Sequence, residues 1–127
     1  MSFMDAIKTC FSKYFDFSGR ARRSEYWWFY LFVFILSLIP FVNLLTIATI
    51  IPTISAAARR LHDTDRSGWW QLIPLPGGAL AAAGAAMELQ ALIIAGGLAA
   101  LVGVIMLIVW LASDSMPGPN RFGPSPK

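Results

Sequence analysis

Between positions 59 and 70 the sequence reads Arg-Arg-Leu-His-Asp-Thr-Asp-Arg-Ser-Gly-Trp-Trp, and nowhere else do chemically capable side chains crowd so closely. Arg59, Arg60 and Arg66 offer guanidinium forks that suit phosphate or carboxylate. His62 beside Asp63 or Asp65 has the makings of a general base with an orienting carboxylate. Ser67 stands where it would cap a helix entered at Gly68-Trp69. A second polar cluster, Arg20, Arg22, Arg23 and Glu25, leads into Tyr26-Trp27-Trp28. Three chemistries compete. In the first, the residues only tie a turn, with Arg59 pairing Asp63 at i,i+4 and Arg22 pairing Glu25 at i,i+3. In the second, Arg20, Arg22, Arg23, Arg59, Arg60 and Arg66 converge on an anionic lipid head group, with Glu25, His62, Asp63, Asp65 and Ser67 as associated polar groups. In the third, His62 acts on a lipid phosphate held by arginine. The third is the weakest: a lone His beside an Asp is common, and neither a nucleophile motif nor a phosphate-cradling glycine loop accompanies it. Asp63 and Asp65 as a cation pair are opposed by the adjacent Arg66.

What must position these clusters is a membrane. The hydrophobic fraction is 57% and the charged fraction 13%, about half of the roughly 25% usual in soluble domains. Residues 26–58 carry no charge at all, well beyond the roughly 20 residues that cross a bilayer. The net charge of +3 sits on basic residues that flank apolar runs, which is a membrane pattern and argues against a nucleic-acid partner. Cys10 stands alone, so no internal disulfide forms. One His and one Cys leave no usual zinc set, and the reading assigns no metal, no cofactor and no catalytic residue. The first apolar run exceeds a signal core and follows an amphipathic segment, so it is expected to stay as an uncleaved anchor.

The chain reads as one membrane domain, 1–127. Residues 2–15 place Phe3, Ile7, Cys10, Phe11, Tyr14 and Phe15 at helical spacing, opposite Asp5, Lys8, Thr9, Ser12 and Lys13. Ser2 and Asp5 resemble a capping box. This helix either packs on the rest of the protein or lies in the head-group layer. Residues 26–58 as one helix would extend about 50 Å against a core of about 30 Å, and would put the two arginine clusters on opposite sides. Pro40-Phe41-Val42-Asn43 breaks the run into spans 26–41 and 43–58. Residues 69–113 hold one charge, Glu88, and divide into spans 69–87 and 91–113. Pro74, Pro76, Gly77 and Gly78 interrupt the first, while Ala95, Ala99 and Gly103 give the second a small-residue face. The tail 114–127 is rich in Pro and Gly: an extended strap or a disordered end.

The reading is an all-α, polytopic helical membrane protein: an amphipathic N-terminal helix plus about four transmembrane helices in two hairpins. All ten Lys and Arg then lie on one side, with Trp27, Trp28, Trp69, Trp70 and Trp110 as interfacial anchors. Both termini are expected in the cytoplasm. The expected function is non-catalytic binding of membrane phospholipid or a membrane-protein partner. The alternative is a small transporter or channel subunit acting as a homo-oligomer, with Glu88 as the one candidate acid and Ser37, Asn43, Thr46, Thr49, Thr53 and Ser55 making the second span mildly polar.

Three segments carry a resemblance. Gly19-Arg20-Ala21-Arg22-Arg23-Ser24-Glu25-Tyr26-Trp27, then Arg59-Arg60-Leu61-His62-Asp63 with Arg66-Ser67-Gly68-Trp69-Trp70, then Pro117-Gly118-Pro119-Asn120-Arg121-Phe122-Gly123-Pro124 resemble, in order, the signatures of the DUF805 family. The loop between the first two apolar runs is shorter than the family's usual pattern, and the region after Trp70 longer. The resemblance implies a bacterial inner-membrane protein and no assigned reaction.

Overall fold

The computed structural model describes residues 1–126, and among these the regular structure is helical. The helices are α1 (Phe3–Ser12), α2 (Arg23–Leu38), α3 (Ile50–Asp63), α4 (Leu75–Ala86) and α5 (Gln90–Ala112). A 3-10 helix, Val42–Thr49, runs straight into α3, and a short one covers Gly68–Leu72. The chain divides into two compact units: Met1–Gly68 with Ser113–Lys127, and Trp69–Ala112.

In the first unit α1 starts as the sequence reads, with the Ser2 hydroxyl accepting from the Asp5 amide at 3.2 Å. Ala6 and Cys10 are its buried residues. Phe3 meets Trp28 edge-on at 5.7 Å and Phe11 meets Phe29 at 5.5 Å, so ring contacts hold α1 against α2. At its far end the Tyr14 hydroxyl donates to the Ala48 carbonyl at 2.7 Å. Met4, Phe11 and Phe15 remain exposed.

The chain turns back at Pro40-Phe41, where Phe41 takes a φ of 67°. The hydroxyls of the returning helix serve its own backbone. Thr46 donates to Asn43 O, Thr49 to Thr46 O, Thr53 to Thr49 O and Ser55 to Pro52 O, all within 3.0 Å. Pro52 has no N–H to give, and i−3 carbonyls bonded by side chains favour the tighter 3-10 winding. In hydrocarbon such local satisfaction keeps polar atoms from standing bare. α3 ends in a Schellman motif: Asp65 sits at φ 61°, Asp65 N bonds His62 O and Arg66 N bonds Leu61 O, both at 2.9 Å.

The second unit is an α4–α5 hairpin, closed by the same motif with Glu88 at φ 56° and Leu89 N on Gly84 O at 2.8 Å. Glu88 is exposed in this turn. The expected span 69–87 is not one helix. Pro74 and Pro76 confine the helix to a start at Leu75, leaving twelve residues, a rise of about 18 Å. Gly77 and Gly78 do not interrupt it. Among the described residues two helical stretches are long and apolar enough to cross a membrane, Val42–Asp63 and Gln90–Ala112.

The small-residue face of α5 lies one residue beyond the expected one. Gly96, rather than Ala95, meets α4: a Cβ there would fall on Ala81 N and on Gly77 O. Gly103 belongs to the contact as expected, against Ile73 and Pro74. Gly97, its neighbour, faces open space. Gly96→Leu should therefore destabilise the hairpin by about 1–3 kcal/mol. Gly97→Leu should stay within about 0.5 kcal/mol of the parent, read from denaturant unfolding in detergent micelles. Equal losses would contradict the assigned face.

Candidate functional site

The three signature segments meet at one place, the polar end of the first unit, and Arg20 is the residue that joins them. Its Nε donates to Asp63 Oδ1 at 3.0 Å. Nη2 reaches the carbonyls of Asp63 (3.2 Å) and Met116 (2.7 Å), and Nη1 those of Gly118 (2.7 Å) and Gly123 (3.1 Å). All five guanidinium hydrogens are thus used, on α3 and on the tail. Asp63 is fully buried. Its other oxygen takes Arg60 Nη1 at 2.7 Å and the Ser115 hydroxyl.

A second buried pair lies beside it: Arg59 Nη1 and Glu25 Oε2 at 2.7 Å. Arg59 is wholly enclosed, and its Nε and Nη2 find no hydrogen-bond acceptor among the described residues. Its charge therefore rests on Glu25. Glu25 precedes the first apolar run, and burial pushes its carboxyl above the usual range, while the charges of Arg59, Lys13 and Arg22 pull against that rise. The Cys10 thiol, 4.0 Å from Glu25 O, is pushed up to about 12, first by burial and next by the Glu25 charge, against a smaller opposing effect of Arg59. A thiol so placed is unreactive near neutral pH.

The expected pairs are each displaced. Arg59 does not pair Asp63; Arg60 does, at i,i+3. Glu25 pairs Arg59 from α3 rather than Arg22. The physical reason is that the last turn of α3 is enclosed on several sides at once. Arg59 and Arg60, about 100° apart around the helix, each meet a different carboxylate.

His62 is buried with its ring stacked on Phe122 at 3.9 Å, nearly parallel. Its Nδ1 lies 2.8 Å from Gly19 O, a carbonyl presented by the left-handed turn at Gly19, φ 79°. Gly68 presses on α3 so closely that a Cβ would come 2.9 Å from Ala58 Cβ and 3.5 Å from His62 Nε2. Asp65 leaves the knot for the surface, where Arg121 Nε meets it at 3.1 Å. The two aspartates weighed as a cation pair are thus committed to different arginines.

Through Pro126, the last described residue, the tail is tied to the knot. Met116 N bonds Asp63 O, Asn120 and Gly123 exchange backbone bonds, and Asn120 Nδ2 donates to His62 O, all at 3.0 Å. Gly118 (φ 68°) and Gly123 (φ 125°) hold left-handed backbone, and it is their carbonyls that face Arg20. Ser115, Asn120 and Phe122 were not among the expected site residues. Nothing in the sequence marks Ser115; the Gly-Pro-Asn turn signal marks only a bend.

Of the expected anion-binding arginines, then, Arg20, Arg59 and Arg60 point into the protein. Arg22 is half-buried, with Nη2 2.5 Å from Pro126 O, Arg23 is exposed and Arg66 half-buried. Ser67 is half-buried too. Trp28, Trp69 and Trp70 are exposed and Trp27 and Trp110 half-buried, with Trp70 and Trp110 in edge contact at 5.6 Å within the second unit.

Comparison with known proteins agrees with this picture of a membrane protein. The family described as "Protein of unknown function (DUF805)" matches residues 14–46 and 37–124. Inner membrane protein YhaH of Escherichia coli (strain K12) is 32% identical, covering 98% of both chains. Inner membrane protein YhaI of the same strain is 33% identical, covering 90% of this chain and 88% of its own. No solved structure matches significantly.

Asp63→Asn should leave two buried guanidinium groups facing a neutral amide and cost about 3–5 kcal/mol. Arg121→Ala breaks an exposed pair and should cost less than about 1 kcal/mol. Chemical unfolding of the two variants in the same detergent separates them; similar losses would mean the knot carries no special weight.

Proposed function

The chain belongs to the DUF805 family, and on that footing we propose that it is a non-catalytic component of the bacterial inner membrane that holds anionic phospholipid at a basic, cytoplasmic face. The observation that carries this reading is the division of labour among the cations. Arg20, Arg59 and Arg60 are spent on carboxylates and carbonyls inside the protein. Nearer the surface lie Lys8, Lys13 and Arg23, exposed, Arg22 and Arg66, half-buried, and Arg121, exposed and paired with Asp65. On α1 Lys8 shares the exposed face with Met4 and Phe11, and Phe15 continues it just past the helix. Apolar side chains set beside a lysine suit the head-group layer, where each basic residue contributes about 1 kcal/mol of attraction to an anionic surface.

The knot also supports a common side for the two ends of the chain. Arg20 and Met116 are hydrogen-bonded to each other. The excursion from Arg23 to Asp63 begins and ends beside the knot, and the one from Gly68 to Ser115 does the same. Two excursions that return to their starting point fit an even number of crossings, with four the fullest case. The positive-inside rule makes the shared side cytoplasmic.

Two features weigh against other activities. His62 is occupied at Nδ1 by Gly19 and covered on one face by Phe122, a poor placement for proton transfer to a substrate. The hydroxyls of Thr46, Thr49, Thr53 and Ser55 are turned to their own helix rather than to a solute path.

Native mass spectrometry of the protein incubated with equal amounts of phosphatidylglycerol and phosphatidylcholine tests the reading. Adducts should be predominantly phosphatidylglycerol, and the preference should fall with salt as screening grows. Indifference to head-group charge would sink it.

A further inference from the structure

We propose that the basic face contains a defined head-group site: a cleft of about 390 Å³ between α1, the start of α2 and the C-terminal tail, which takes the phosphate of an anionic phospholipid. The proposal rests on the lipid-binding reading above and gives it a place. Thr9 of α1 and Lys13 at its C-cap, Arg22 and Glu25 at the start of α2, and Phe122 and Pro126 of the tail line the cleft. Its volume falls toward the lower end of the roughly 300–1,000 Å³ of ligand pockets, a size for a phosphate with its polar substituent rather than a whole lipid.

The charge of the cleft is set by what its groups already do. Glu25 has its Oε2 on Arg59. The Arg20 guanidinium, which also borders the cleft, has every hydrogen bonded elsewhere. Lys13 and Arg22 are then the cations available to a guest, both near enough to Glu25 to act on its carboxyl. Thr9 adds a neutral hydroxyl. A phosphate between an ammonium and a guanidinium gains charge-assisted hydrogen bonds from both. Phospholipid is the expected source of that phosphate because the chain is similar to inner-membrane proteins; the exposed Met4, Phe11 and Phe15 lie on the face opposite Thr9 and Lys13 and do not adjoin the cleft.

The site exists only with the tail in place. Phe122, Pro124, Ser125 and Pro126 form one wall, and Phe122 is held there by its stack on His62. Arg22 is aimed by its bond to Pro126 O. The signature residues that lock the tail onto Arg20 therefore also shape the cleft.

The test uses the full chain in uncharged detergent with phosphatidylglycerol, read by native mass spectrometry, and Cys10 resistance to maleimide as the check that the fold is intact. Lys13→Gln with Arg22→Gln should lower the phosphatidylglycerol adduct about tenfold. In uncharged detergent no anionic surface attracts residues outside the cleft, so Lys8→Gln with Arg23→Gln should lower it several-fold less than the cleft pair does. If the cleft pair exposes Cys10, Lys13→Gln alone, on an exposed side chain, decides by the same comparison with Lys8→Gln. Equal loss in the cleft variants and the control variants overturns the cleft and leaves the general anionic face standing. No preference for phosphatidylglycerol in the parent protein overturns both. Inorganic phosphate that displaces the phosphatidylglycerol adduct completely at equal concentration overturns the lipid assignment in favour of a soluble anion.

Discussion

A single carboxylate, Asp63, buried between two guanidinium groups and a serine hydroxyl, is what the first unit is arranged to satisfy. Among the described residues these buried pairs set three arginines, Arg20, Arg59 and Arg60, against two carboxyl groups, Asp63 and Glu25, an excess of basic groups. Left so, it would be costly in a low-dielectric interior. The tail supplies the balance. Carbonyls of Met116, Gly118 and Gly123 turn their negative ends to Arg20, and the left-handed glycines are what permits that aim. The Pro/Gly-rich end is thus an electrostatic part of the knot. A buried ion pair is not in itself a strong source of stability, because desolvation offsets attraction. Its contribution here is register: this placement of the N-terminal arm, the end of α3 and the tail brings each of these arginines to a carboxylate.

That register fixes where the apolar segments begin and end. The first excursion leaves at Arg23 and returns at Asp63; within it, the hydroxyls of Thr46, Thr49, Thr53 and Ser55 each bond a carbonyl about a turn away. In the second unit the close contact is between backbones at Gly77 and Gly96, the packing expected where lipid removes the hydrophobic incentive for helices to associate. Polar order at one end and small-residue contact in the hairpin divide the structural work between the units.

Much of this was legible in the sequence. The apolar runs, the break at Pro40-Phe41, the turn at Glu88, the Ser2 cap and the meeting of the two arginine clusters follow from hydropathy, charge placement and turn residues. What escaped was direction at single-residue resolution. A run such as Arg59-Arg60 or Ala95-Gly96 offers two adjacent residues of the same kind, and period 3.6 cannot say which one meets the neighbour. In both cases the second residue, Arg60 or Gly96, took the expected role. The 69–87 run was long enough for a span, yet two prolines shortened its helix to α4. The tail was ambiguous because the same composition suits disorder and a strap of left-handed turns; the distinction lies in Arg20, about a hundred residues away. Aspartate at the left-handed cap of α3 was hidden because glycine is the usual sign of that motif.

Hydrogen exchange of the tail amides measures the central claim most directly. The account has Met116, Asn120, Phe122 and Gly123 amides bonded in a tail held by Arg20. In the parent protein these amides should exchange far more slowly than in an unstructured peptide. In Arg20→Ala they should exchange at nearly the peptide rate, while α5 keeps its protection. A tail that exchanges freely in the parent, or one that stays protected without Arg20, would contradict the account.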